Sequence, residues 1–121
     1  DLESENIFAA SDIILIPFIP TTLSKVTYEK ILAFFRKHEL DASKIRVFFS
    51  MVDSRKKLHR EMMENLLEED ERFLNIGIPY ASDVEKMGLT RRPVIESKPG
   101  SKASLAFFEL WDELKRMLYA L

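Results

Sequence analysis

Two apolar runs stand out along the chain. Ile13 to Ile19 is continuous except for Pro17, and Ile45, Val47, Phe48 and Phe49 form a second run with Arg46 as its one polar interruption. Short runs without alternation predict strands covered on both faces, as in parallel sheets. Pro17 and Pro20 are expected to end the first strand, because proline donates no ladder hydrogen bond. Leu74, Ile76 and Ile78 alternate and predict a third strand closed by Pro79. Val94-Ile95 reads as a short edge strand.

Helical spacing fills the intervals. Ile7 to Ala10 suggests a short opening helix. Thr21 or Thr22 caps the next, whose stripe of Val26, Ile31, Leu32, Phe34 and Phe35 runs to about His38. A charged helix is expected from Asp53 or Ser54, burying Leu58, Met62, Leu66 and Leu67 and turning Lys56, Lys57, Arg60, Glu64, Glu68 and Glu69 to water. Ser82 caps a short helix through Val84 and Met87, with Gly88 at its stop. After the Pro99-Gly100-Ser101 turn, Leu105, Phe108, Leu110, Trp111, Leu114 and Leu118 predict a final amphipathic helix. This strand–helix alternation predicts an α/β fold: a parallel sheet of three to four strands with flanking helices and right-handed crossovers. The 121 residues fit one domain, 1–121.

Composition narrows the function. A net charge of −2 gives no bulk attraction to nucleic acid, although a local basic patch is compatible with it. The chain has no cysteine, which excludes disulfides and thiolate metal sites and fits a cytoplasmic location. No run approaches the roughly 20 apolar residues of a membrane span. The opening Asp1-Leu2-Glu3-Ser4-Glu5 is acidic, unlike a signal peptide. It also lacks an initiator Met and begins inside an apparent helix, which suggests a cut boundary.

No catalytic constellation is complete within these residues. His38 and His59 lack the H-E-x-x-H spacing of a zinc site, and His59-Arg60-Glu61 reads as a solvated helix face. No serine sits in a G-x-S-x-G elbow. The glycines Gly77, Gly88 and Gly100 open no phosphate-binding G-x-x-x-x-G-K-[ST] loop. Gly100-Ser101-Lys102-Ala103-Ser104 has the wrong spacing and reads as a helix entry.

The order of the motifs carries a resemblance. Ala10-Ser11-Asp12, an apolar strand and Ile19-Pro20-Thr21-Thr22-Leu23-Ser24 are followed by Ser50-Met51-Val52-Asp53-Ser54-Arg55, by Ile78-Pro79-Tyr80-Ala81-Ser82, and by Pro93-Val94 with Leu110-Trp111-Asp112-Glu113-Leu114. This series resembles the C-terminal half of a ParA/MinD-type, deviant-Walker P-loop ATPase. Relatives of that kind are often named cobyrinic acid a,c-diamide synthase, but no cobyrinate site is identifiable here. The resemblance covers nearly all of the chain and about half of a family member. It implies the C-terminal half of a P-loop NTPase fold, with the Walker A half absent.

For function, the resemblance implies a parent that binds ATP and Mg, dimerises and partitions plasmid or chromosomal DNA. This chain would supply adenine-side loops and surface. Ser50, Asp53, Pro79, Tyr80 and Ala81 would lie at the base. Where the family has Asn at the first position, Ser50 has one hydroxyl, which weakens base recognition. The plainer reading is preferred for the isolated chain: Asp53 caps a helix, Ser50 ends a strand and Tyr80 covers the core. Arg55, Arg91, Arg92 and Lys102 would be the contacts to DNA phosphates that the resemblance implies. The chain alone is expected to be inactive, to bind no cofactor, and to self-associate where the missing N-terminal half would pack. A non-catalytic interaction module and an amidoligase relative are the alternatives.

Overall fold

A computed structural model describes residues 2–120. Helix α1 (Leu2–Ala10) leads into strand β1 (Ile14–Phe18), helix α2 (Thr22–Lys37), a 3₁₀ turn (Ala42–Lys44) and strand β2 (Ile45–Val52). Helix α3 (Lys57–Glu69) and strand β3 (Phe73–Pro79) follow, then short helices α4 (Ser82–Glu85), α5 (Met87–Thr90) and α6 (Val94–Ser97), and the long α7 (Lys102–Tyr119). The three strands form one parallel sheet in the order β1-β2-β3, so the α/β expectation holds.

Aromatic packing holds the sheet to its first helices. Alternate residues of β2, Ile45, Val47 and Phe49, are fully buried and join Phe18, Tyr28, Phe35, Leu66 and Phe73 in one core. Phe18 meets Phe49 and Phe73 edge-on, at 6.1 Å and 5.3 Å between ring centres. Burying a side chain of this size is worth about 1.5–3 kcal/mol, so this cluster dominates the local energetics. On the other side, α7 packs against β3 and α6 against α7. Buried Ser104 joins those two helices, its Oγ donating within 2.9 Å of Val94 O.

Several boundaries differ from the pattern reading. Pro17 lies within β1 rather than ending it. Among the described residues β1 has only β2 beside it, and an edge strand tolerates a residue without N–H. Val94-Ile95 opens helix α6 instead of an edge strand, entered from Pro93 in extended conformation. The ring of Pro93 fixes its φ at about −65°, which the extended N-cap position accepts. Gly88 sits inside α5, whose C-cap is Arg91 in the left-handed region at φ 56°. In α7 the buried positions are Ala103, Ser104 and Leu110, while Leu105, Phe108, Trp111 and Leu118 are exposed.

Helix α3 is shifted most. It begins at Lys57, with Lys56 as an N-cap that makes no side-chain cap bond. Leu58, expected in the core, is 77% exposed, and His59 is buried in its place at 8%. The true stripe is His59, Met62, Met63 and Leu66, at three- and four-residue spacing. This helix also runs against its own dipole. It has no acid in the first turn and no base in the last, but carries Lys57 at its start and Glu68 and Glu69 at its end. Each such placement costs about 0.3–1 kcal/mol when exposed.

Candidate functional site

In open parallel sheets, ligands bind beyond the carboxyl ends of the strands. Here the loops after β2 and β3 meet at that end. Their backbones are joined by Tyr80 N donating to Val52 O at 2.8 Å. The cavity between them is about 480 Å³ and is closed on its third side by the start of α7. Asp53 and Arg55 line it from the first loop, Pro79, Tyr80 and Ala81 from the second, and Lys102 from α7.

A backbone irregularity shapes this end of the sheet. Phe49 pairs with Gly77 and Val52 with Pro79, so β2 carries one more residue than β3 over the interval. Met51 takes up the excess at φ 50°, a left-handed conformation uncommon outside glycine. Bulges of this kind re-aim the residues that follow them. Gly77 allows the strands to close here, since a Cβ at that position would meet Val52 Cγ2 at 3.3 Å.

Asp53 does not cap α3. It holds its own loop: Oδ1 accepts from Arg55 N at 3.1 Å and Nε at 3.0 Å, and Oδ2 accepts from Arg55 Nη2 at 3.1 Å. These bonds from Arg55 pull the Asp53 carboxyl down to about 2. Asp53 N in turn donates to His59 Nδ1 at 3.1 Å, anchoring the loop to α3. Tyr80 is half exposed, and the Glu85 carboxylate beside it raises its hydroxyl above the ordinary value. The aromatic face is therefore not sealed into the core, contrary to the plainer expectation.

Of the residues singled out from sequence, six share this cavity: Asp53, Arg55, Pro79, Tyr80, Ala81 and Lys102. Ser50 does not line it. It lines an adjoining apolar cavity of about 290 Å³ that shares Pro79, Tyr80 and Ala81 as a wall. Arg91 and Arg92 are exposed at the end of α5 and line neither. His59 was missed as a loop anchor, although its spacing to Met62, Met63 and Leu66 was a usable signal.

Among the described residues, no group of three or more His, Asp or Glu side chains is arranged to hold a metal ion. No described helix is long and apolar enough to cross a membrane. No protein-family model matches the chain, and no curated protein shows significant similarity to it.

Proposed function

We propose that this chain is the base-side portion of a ParA-like ATPase that partitions plasmid or chromosomal DNA. The observation that carries the reading is the meeting of Asp53, Tyr80 and Lys102 around one cavity at the carboxyl ends of β2 and β3. Tyr80 offers a ring for a base to stack on, and base–aromatic stacking is worth about 1–3 kcal/mol. Lys102 brings positive charge to the cavity from the start of α7, while the Arg55 guanidinium is paired with Asp53. The residues fit a nucleoside better than a Mg–triphosphate group: among the described residues no glycine loop lines the cavity, and no cluster of carboxylates is arranged for a cation. The phosphate-binding elements of such a site would come from residues other than these. In that reading the exposed Arg91 and Arg92 contact DNA phosphates, which gives salt-sensitive binding without base readout.

Calorimetry with adenosine and with ATP tests this directly. The chain is expected to bind both weakly and with similar affinity, with no phosphate release from ATP and magnesium. Tyr80→Ala is expected to weaken both by about tenfold, the loss of one stacking contact. ATP binding far more tightly than adenosine, or turnover abolished by Asp53→Ala, would overturn the reading.

A further inference from the structure

A different cavity, of about 720 Å³, opens between the starts of α2 and α3. The first turn of each helix lines it, Thr22 and Lys25 from α2 and Lys56, Lys57 and His59 from the start of α3, which continues along it to Glu69. The N–H groups of Thr22 and Leu23, and of Lys57, Leu58 and His59, have no hydrogen-bond partner among the described residues. Free N–H groups at helix N-termini attract anions.

His59 supplies an independent pointer. The residue is more than nine-tenths buried, and its Nδ1 is occupied as an acceptor from Asp53 N. The ring proton therefore sits on Nε2, which has no partner among the described residues. No buried side-chain nitrogen or oxygen of the described residues is left without a partner, so the unbonded Nε2 is accessible from outside, and His59 lines this cavity. There it presents one N–H donor in a fixed direction.

The charges agree with the donors. Lys56 and Lys57 stand at the positive end of the α3 dipole with no acid in that turn, an arrangement that an anion would reverse from repulsion to attraction. Lys57 Nζ already lies 3.6 Å from Glu61 Oε1, whereas no ion pair engages Lys25 or Lys56 among the described residues. Met62 and Leu66 give the cavity an apolar wall, and Glu69 also lines it, about three and a half helical turns from Lys56.

We propose that this cavity binds a small organic phosphate, its oxygens held by the Thr22 amide, His59 Nε2–H, Lys25 and Lys56. The organic body lies along Met62 and Leu66. This site is separate from the Tyr80 cavity and does not depend on the nucleotide reading.

Titration of the ¹⁵N-labelled chain with phenyl phosphate, inorganic phosphate and phenol tests it. Phenyl phosphate is expected to give saturable shifts at the Thr22, Leu23, Leu58 and His59 amides and to bind more tightly than inorganic phosphate. Phenol is expected to leave those amides unmoved. The exposed pair Lys25→Gln/Lys56→Gln is expected to weaken phenyl phosphate about tenfold or more, through loss of charge-assisted bonds. His59→Asn, which keeps an acceptor for Asp53 N–H but lacks Nε2–H, is expected to weaken it as well. Absence of saturable phenyl phosphate shifts in the wild-type chain overturns the site. So do shifts confined to Arg91 and Arg92, or duplex DNA moving the Thr22 and Leu23 amides when phenyl phosphate does not. Adenosine carries no phosphate and reports on the Tyr80 cavity alone, so either site can fail without the other.

Discussion

The imidazole of His59 accepts the backbone N–H of Asp53 at 3.1 Å, tying the first turn of α3 to the end of β2. A buried ring thereby holds a loop that borders two cavities, one against Tyr80 and one against the start of α2. The loop is further stiffened from outside by Arg60 Nη1 donating to Ser54 O at 2.6 Å.

The carboxyl of Asp53 reports on that loop. Its folded value of about 2, set by the Arg55 side chain and then the Arg55 amide, lies below the ordinary 3.9 or so of an aspartate. A depressed carboxyl stabilises the fold above the unfolded value, and that contribution is lost as pH falls from about 4 toward 2. A carbon-detected titration is expected to place the Asp53 midpoint near 2 in the wild type and back in the usual carboxylate range in Arg55→Gln. An ordinary midpoint in the wild type would mean that the Arg55 pairing is absent in solution.

At the other end of the sheet, Tyr28 Oη donates to Asp70 Oδ2 at 2.6 Å, and Arg72 Nη1 donates to both Asp70 oxygens at 2.9 Å and 3.0 Å. This triad links α2 to the turn before β3. Burial, and then Asp70, raise the Tyr28 hydroxyl above its ordinary value. Its contribution is therefore complete below about pH 10 and is lost as pH rises beyond it. Tyr28→Phe keeps the ring packing and removes the bond, so urea unfolding at neutral pH is expected to show a loss of about 1–2 kcal/mol. Unchanged stability would show that the bond contributes nothing net.

Strand β1 has a neighbour on one side only among the described residues, and an apolar groove of about 500 Å³ lined by Ile14, Ile16 and Phe34 lies beside it. Open strand edges recruit other chains. Sedimentation over a wide concentration range is expected to show reversible self-association that Ile14→Lys weakens. A wild-type monomer at high concentration, with Ile14 to Ile16 amides protected from exchange, would refute an adhesive edge.

The strands were legible because apolar runs such as Ile45 to Phe49 have few alternatives in so short a chain. Residues whose role depends on a tertiary neighbour were harder to read. Leu58 and His59 are adjacent, and hydrophobicity alone favours Leu58 for the core. The core instead took His59, because Asp53 N–H satisfies its ring nitrogen. Val94 resembles a strand residue, yet Pro93 starts a helix there and Ser104 fixes it to α7. The gathering of Asp53 and Tyr80 followed from motif order, since each closes a strand at the same end of the sheet; Lys102, read from the sequence as a contact to DNA phosphates, joins them because α7 starts beside that cavity. The placement of Ser50 did not, because the bulge at Met51 separates it from the loop that follows.

The base-side reading is tested most directly by mapping adenosine onto the ¹⁵N-labelled chain. Saturable shifts are expected in three segments that are distant in sequence, residues 52–55, 80–81 and 101–103, with the Tyr80 ring protons moving upfield as a base stacks on them. Tyr80→Ala is expected to weaken the whole set together, by about tenfold in affinity. Adenosine shifts scattered over the surface, or confined to residues outside those three segments, would contradict the account.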